Sequence, residues 1–279
     1  MIVTHTIADC RARRREFSGR LCLVPTMGAL HAGHLSLIEI AKRHADHVAV
    51  SIFVNPTQFG PTEDLTKYPR PIETDLAQCE AAGVDLIFNP TAEKMYPPAA
   101  SELVVDLPSL TSVLEGKHRP GHFKGVCQVV AKLFNIVQPQ SACFGRKDFQ
   151  QLRVLQAMVA ALDFPVEIVP CPTLREPDGL AMSSRNRYLS DEDRAKALSI
   201  SRGLFAAKAE FAKGIVQTNR LIATIQKPML EQHLSIDYVA AVDPMTLRNV
   251  EVIESSVILA VAARVGNTRL IDNIALPDE

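Results

Sequence analysis

The sequence predicts an α/β protein: a parallel sheet with helices on its faces, followed by a smaller α+β unit. Three observations carry this. Apolar, β-rich runs at 21–24, 48–54, 84–88, 141–144 and 166–169 alternate with stretches of helical period. Two of those runs pass through glycine-containing turns straight into helices. Beyond about residue 175 the pattern changes to a long amphipathic helix, a second helical stretch and three strands. The expected division is therefore 1–174 and 175–279.

The composition bounds the rest. At 279 residues, 47% hydrophobic and 22% charged, the chain suits one large globular domain or two ordinary ones. A net charge of −1 gives no electrostatic pull toward nucleic acid or a membrane surface. No run approaches the roughly 18 apolar residues of a membrane helix. Arg11, Arg13, Arg14 and Arg15 precede too short an apolar run for a cleaved leader. The six cysteines are scattered without a CxxC pair, several inside apolar runs, and read as reduced core residues; the expected compartment is the cytoplasm.

Residues 1–20, a short strand and a basic helix, read as scaffold. Leu21-Cys-Leu-Val24 is a buried strand ended by Pro25, and apolar residues at 35, 37, 38, 41 and 45 mark the helix that follows. Between them lie Gly28, Gly33, His31 and His34. Such a turn gathers free backbone N–H groups and the positive end of a helix dipole, which suits phosphate. Glycines admit a close ligand, and histidines at the helix start can donate to a phosphoryl group as its charge grows.

Val48–Val54 is a strand covered on both faces, stopping at Asn55-Pro56. Gln58 follows in the loop at its carboxyl end, where ligands of open α/β sheets bind; its amide suits a hydroxy acid, although a solvated turn glutamine is the plainer reading. After the stiff Tyr68-Pro-Arg-Pro71, a helix is expected over 72–82 with Gly83 as its cap. Asp75 in its first turn either complements the dipole or helps hold magnesium. A strand at 84–88, a proline-rich loop at 89–99 and a short strand at 103–107 follow. The segment 114–125, dense in glycine, histidine and cations, reads either as a charged surface loop or as a mobile flap with Arg119, His122 and Lys124 facing inward. A core helix occupies 126–137.

Ser141–Phe144 opens the second junction. Gly145 gives the turn, Lys147 a charge for phosphate, Asp148 a helix N-cap, and Gln151 lies three residues on along the same face. Two such junctions in strand–helix alternation are those of a nucleotide-binding parallel sheet. After a strand at 166–169, Thr173–Asn186 carries small and polar residues, with Ser183, Ser184 and Arg185 able to hold triphosphate oxygens. Ser190 and Asp193 form a capping box for a helix over 191–213. A helical stretch at 219–233, interrupted by Pro228, and strands at 236–242, 257–265 and 268–274 complete the smaller unit, which reads as a lid.

The stretch Pro25–His34 resembles the His-x-Gly-His signature of the nucleotidylyltransferase superfamily, and its full string PTMGALHAGH resembles the pantothenate synthetase (pantoate–β-alanine ligase) family. SIFVNPTQFG with YPR, RPGHFKGV, and FGRKDFQQ followed by MSSRN continue the likeness in order along nearly the whole chain. The resemblance implies a Rossmann-like ATP- and pantoate-binding unit, a pantoyl-adenylate intermediate formed with release of pyrophosphate, aminolysis by β-alanine, a magnesium requirement and a cytoplasmic homodimer. It implies no nucleic-acid or membrane partner.

Carried over residue by residue, the resemblance makes His34, His31 and Lys147 catalytic, with His34 as proton donor. ATP falls to Met27, Gly28, Ala29, Leu30, His31, Ala32, Gly33, His34, Gly145, Arg146, Lys147, Asp148, Leu174, Met182, Ser183, Ser184 and Arg185. Gln58 and Gln151 hold pantoate, Gln58 also meeting β-alanine, and Asp75 stands where the family has an acid linked to magnesium. Two departures stand out: Arg146 where relatives commonly have glutamate, and Thr74 where some have a second acid beside Asp75. A plain nucleotidylyltransferase has no reason to carry both glutamines with the 114–125 segment. A tRNA-charging enzyme lacks support in the charge balance. A non-catalytic nucleotide sensor is disfavoured by the presence of His31, His34 and Lys147 together.

Overall fold

A computed structural model describes residues 1–61, 63–97 and 103–277, so the end of the expected 89–99 loop lies outside the described residues. The strands β1 (Ile2–Thr4), β2 (Leu21–Thr26), β3 (His47–Ile52), β4 (Leu86–Phe88), β5 (Ser141–Gly145) and β6 (Glu167–Cys171) form one parallel sheet in the order β1-β4-β3-β2-β5-β6. Its connections carry α1 (Ile7–Arg14), α2 (Ala32–His44), α3 (Ile72–Ala81), the short α4 (Ala92–Met95), α5 (Pro108–Thr111) and α6 (Leu114–His118), then α7 (His122–Val137) and α8 (Phe149–Ala161). After α9 (Asp191–Ala212) and α10 (Thr218–Glu231), the strands β7 (Ser235–Val242), β8 (Val257–Val265) and β9 (Thr268–Leu276) make an antiparallel sheet in chain order.

The strand order positions the site. From β2 the chain builds outward through β3 and β4, then returns to lay β5 along the other edge of β2. The carboxyl ends of β2 and β5 are therefore neighbours whose following helices diverge, and that leaves a crevice between them. Both junctions singled out in the sequence open onto it.

Packing follows the strand pattern. One face of the parallel sheet meets α7 and α8 through Leu23, Phe88, Val130, Leu133 and Leu155; the other meets α2 and α3 through Val24, Val50, Ile38 and Cys79. In β8, Leu259, Val261 and Ala263 face α9 and α10, where Leu204, Leu221 and Ile225 pack. The alternate residues Ile258 and Ala260 join the apolar cluster of the parallel sheet. The two sheets thus share a core, and β8 is buried on both faces.

Two expectations fail. Residues 103–107 form no strand: Leu103 and Val104 are 65% and 63% exposed, and the run lies against no sheet edge. β-branched composition does not make a strand without a pairing partner. The 114–125 segment is not the surface loop of its plainer reading, since α6 and the first turn of α7 occupy most of it. Lys124 turns outward to Asp106 (3.3 Å).

At the α9–α10 crossing, a Cβ on Gly203 would come within 2.6 Å of the Ile225 carbonyl oxygen. Gly203→Val is expected to lower unfolding free energy by about 1–3 kcal/mol through overpacking, read as a shift of the urea midpoint; an unshifted midpoint would show the crossing can open at no cost.

Candidate active site

The turn leaving β2 is bent by two successive left-handed residues, Gly28 (φ 81°) and Ala29 (φ 51°). A side chain at Gly28 would meet Asp75 Oδ2 at 2.8 Å and Ile52 at 3.1 Å. Asp75, in the first turn of α3 and 1% exposed, accepts the N–H of Ala29 on Oδ2 and that of Leu30 on Oδ1, each at 2.8 Å. The expected link of Asp75 to magnesium has a structural role beside it. Both oxygens of this buried carboxylate accept backbone N–H groups, and the residue fixes the turn. Gly28, Ala29 and Leu30 accordingly lie behind the cavity wall, and Ala32 is exposed on α2.

His31 and His34 cap the helix that follows. His31 stands at the N-cap of α2 and its Nδ1 accepts the Gly33 N–H (3.1 Å), while His34 Nδ1 accepts the His31 N–H (3.4 Å). The rings lie 4.1 Å apart. With Nδ1 an acceptor in both, each neutral ring carries its proton on Nε2 and keeps that N–H for a ligand. Burial, with Lys147 and Arg187 nearby, holds His31 down at about 4; burial, His31 and Lys147 hold His34 down at about 3. Near neutrality His34 is thus a neutral imidazole whose Nε2–H can donate a hydrogen bond.

The β5 junction faces this pair. Gly145 ends the strand, and Arg146–Asp148 form a single 3-10 turn before α8. Asp148 makes no side-chain cap to α8, contrary to expectation, and it lies on the cavity wall. Leu174 and Met182 are joined by a backbone hydrogen bond (3.0 Å) across the loop whose turn is Glu176–Gly179. That loop brings Ser183, Ser184 and Arg185 round to the crevice, with Arg185 paired to Asp64 (3.0 Å).

At the other end, Gln58 sits in the 3-10 turn Pro56–Gln58 after β3. Asn55 donates to its Oε1 (3.1 Å), which leaves its own Nε2 beside Met27 Sδ (3.1 Å). Asn55 also donates to the Gly125 carbonyl and accepts from Thr57 and Tyr96. His122 donates from Nδ1 to the Gln58 carbonyl (2.9 Å) and accepts Arg119 on Nε2 (3.1 Å), so it is neutral; burial, then Arg119, lowers it to about 4. Arg119 is forked onto Glu63 at 2.7 and 2.8 Å.

One cavity of about 250 Å³ joins these parts. Its wall includes Met27, His31, Gly33 and His34 from the first junction and Gly145, Lys147, Asp148 and Gln151 from the second. Gln58, Arg119 and His122 line it too, as do Leu174, Met182, Ser183, Ser184 and Arg185. Arg146, Ala32 and Asp75 do not. Asp148 is the single acid on the wall among the described residues.

A family model described as pantoate-beta-alanine ligase matches residues 2–275. The chain belongs to that family. Pantothenate synthetase of Sulfurihydrogenibium sp. is 54% identical over 257 residues, covering 91% of each chain. Pantothenate synthetase 1 of Bradyrhizobium diazoefficiens is also 54% identical, over 99% of this chain and 98% of its own. Among solved structures, the Thermus thermophilus pantothenate synthetase superposes with a TM-score of 0.93 at 46% identity, covering 98% of this chain and 99% of that one. The Francisella tularensis pantoate-beta-alanine ligase, described as complexed with beta-gamma ATP and beta-alanine, gives 0.82 at 33% identity over 98% and 97%.

Within this family member, sequence reading missed three supports of the site: Asn55, Gly125 and Asn273. A Cβ on Gly125 would lie 2.3 Å from the Thr57 carbonyl oxygen and 2.6 Å from Gln58 N, so only glycine lets α7 press against the Gln58 turn. No helical or strand period flags a contact between elements so far apart in the chain.

Two expectations follow. Asp75→Asn leaves a buried N–H facing an amide that cannot accept on both sides; unfolding free energy should fall by about 1.5–3 kcal/mol, and the KM for ATP should rise by a factor that excess magnesium does not alter. Full rescue by magnesium would restore a metal role. Separately, His31, His34 and His122 are neutral when folded but free to protonate near 6.5 when unfolded. The unfolded state then binds more protons as acid is added, so stability is complete above about pH 6.5 and declines as pH falls toward about 4. His34→Gln should flatten that decline in urea titrations; an unchanged slope would contradict the burial of a neutral ring.

Proposed function

We propose that this cavity carries out the family reaction, joining D-pantoate to β-alanine with ATP cleaved to AMP and pyrophosphate. The observation that carries the reading is convergence: two neutral imidazoles with free Nε2–H groups and Lys147 stand in the same cavity as Gln58 and Gln151. Phosphate chemistry and hydroxy-acid recognition then meet at the switch point of the sheet.

In the first step a pantoate carboxylate oxygen bonds to the α-phosphorus of ATP and the bond to the pyrophosphate oxygen breaks. Such a displacement needs alignment and charge neutralisation more than covalent help. His31 and His34 donate from Nε2 to the α-phosphoryl oxygens, and Lys147 neutralises charge there. Ser183, Ser184 and Arg185 receive the leaving pyrophosphate, with Leu174 and Gly145 against the nucleoside. Gln58 and Gln151 hold the pantoate hydroxyls and carboxylate. In the second step the β-alanine amine bonds to the acyl carbon, the carbon–oxygen bond to AMP breaks, and the amine loses a proton. Arg119 and His122, at the Gln58 end of the cavity, keep that end ordered and dry while the acyl-adenylate waits.

Magnesium is read as an ion carried by the nucleotide. Among the described residues no cluster of three or more metal-binding side chains occurs. Magnesium commonly needs one carboxylate besides phosphate oxygens and water, and Asp148 is the acid that would share it. When bound, the ion supplies charge compensation on the phosphates. The division into 1–174 and 175–279, a homodimeric assembly and a cytoplasmic location belong to the same proposal; among the described residues no helix is long and apolar enough to cross a membrane.

Pyrophosphate release should require pantoate and precede any addition of β-alanine, after which AMP and pantothenate appear. Release indifferent to pantoate would make the protein a nucleotidylyltransferase for another acceptor. His34→Ala should slow pyrophosphate release by about 10²–10³-fold with the near-ultraviolet spectrum unchanged; near-normal turnover would remove His34 from the chemistry.

A further inference from the structure

Two adjacent residues of β9, Asp272 and Asn273, reach out of the antiparallel sheet into both loops that frame the nucleotide end of the cavity. The Asn273 amide donates from Nδ2 to the carbonyl of Arg146 (3.0 Å) and to that of Lys147 (2.8 Å). Both acceptors are backbone carbonyls, so the amide sits only one way round; reversed, its oxygen would face two other oxygens. These carbonyls belong to the single 3-10 turn that presents Lys147. Neither Gly145 ahead of that turn nor Asp148 at its end supplies a side-chain cap. The turn is fastened from the second sheet, 126 residues away.

Asp272, 3% exposed, takes the Arg175 guanidinium in a fork, Nη1 at 2.7 Å and Nη2 at 3.0 Å. It also accepts the backbone N–H of Asn273 (2.8 Å), which ties the two residues together. Arg175 bridges to Ala181 across the turn that leads to Met182–Arg185, and it donates to the Gly179 carbonyl as well (3.2 Å). A bidentate arginine–carboxylate pair holds orientation as well as distance.

We propose that Asn273 and Asp272 are positioning residues for ATP: Asn273 sets the turn carrying Lys147, and Asp272 sets, through Arg175, the loop carrying Ser183, Ser184 and Arg185. Neither lines the cavity, so each acts through residues that do. The inference rests on the reading that Lys147 and the 183–185 loop hold phosphate oxygens. It makes the carboxyl-terminal sheet a structural component of the nucleotide site and not only a cover for it.

The test uses the full chain and pantoate-dependent pyrophosphate release. Asn273→Ala is expected to raise the KM for ATP about tenfold, the size of one or two lost hydrogen bonds, and to leave the KM for pantoate within about twofold. Asn273→Asp, which keeps the shape but opposes oxygen to oxygen, should do the same and serves if the alanine variant folds poorly. In a Lys147→Ala background, Asn273→Ala should add less than about twofold, because both changes remove one contact. Asp272→Asn should raise the KM for ATP independently of Lys147. An unchanged KM for ATP in both Asn273 variants, an equal rise for pantoate, or effects that multiply with Lys147→Ala would each overturn the proposal. If Lys147→Ala itself leaves ATP binding intact, the assignment of Lys147 fails; if it weakens binding while the Asn273 variants do not, the positioning role alone fails.

Discussion

The carboxylate of Asp75, reaching from the first turn of α3 to two consecutive backbone N–H groups, holds the geometry on which the cavity depends. Without it, Ala29 would have little reason to stay in a left-handed conformation that costs an L-residue roughly 1–2 kcal/mol. Hydrogen bonds to a charged acceptor contribute about 1.5–3 kcal/mol each, enough to outweigh that strain. The bend then decides where β2 stops and α2 begins, which puts His31 at the N-cap and His34 one turn inside. A residue outside the cavity wall thus sets the angle of the two that line it.

Much of this was legible in the sequence. The alternation of apolar runs and helical periods reproduces the parallel sheet, because a strand buried on both faces must be apolar throughout. The antiparallel strands and both junctions are equally plain. Tertiary partners were not. Asp75 in a first helical turn reads as a dipole or metal residue; nothing local says that its partners lie 45 and 46 residues earlier. The 114–125 segment reads as mobile because glycine and charge are the signature of loops. It is largely helical, and it packs on the Gln58 turn where His122 donates to the Gln58 carbonyl and Gly125 admits close approach. Residues 103–107 failed for the converse reason: they have strand composition and no strand to pair with.

The electrostatics of the cavity could not be read from the whole-chain charge of −1. Arg119, Lys147 and Arg185 line it with one acid, Asp148, while Arg187 donates to the Leu30 carbonyl just behind. The histidines among them stay neutral because burial, Lys147 and Arg187 oppose their protonation. A polyphosphate entering the site would reverse that balance. The cavity is therefore tuned for an anion by fixed cations, with the imidazoles as neutral dipoles oriented in advance. Arg119 and Arg185 are held by Glu63 and Asp64, two neighbouring acids of one loop. That loop links the Gln58 end of the cavity to the Ser183–Arg185 end.

Active-site residues are often a burden on the fold, so that removing them stabilises the protein while destroying its activity. The reciprocal capping of α2 by His31 and His34 departs from this. The Nδ1 nitrogens satisfy the helix, and the Nε2 nitrogens remain for the cavity that both residues line. Fold and function draw on opposite edges of the same two rings. A drifting sequence that loses either histidine therefore forfeits a helix cap along with a polar group of the cavity wall.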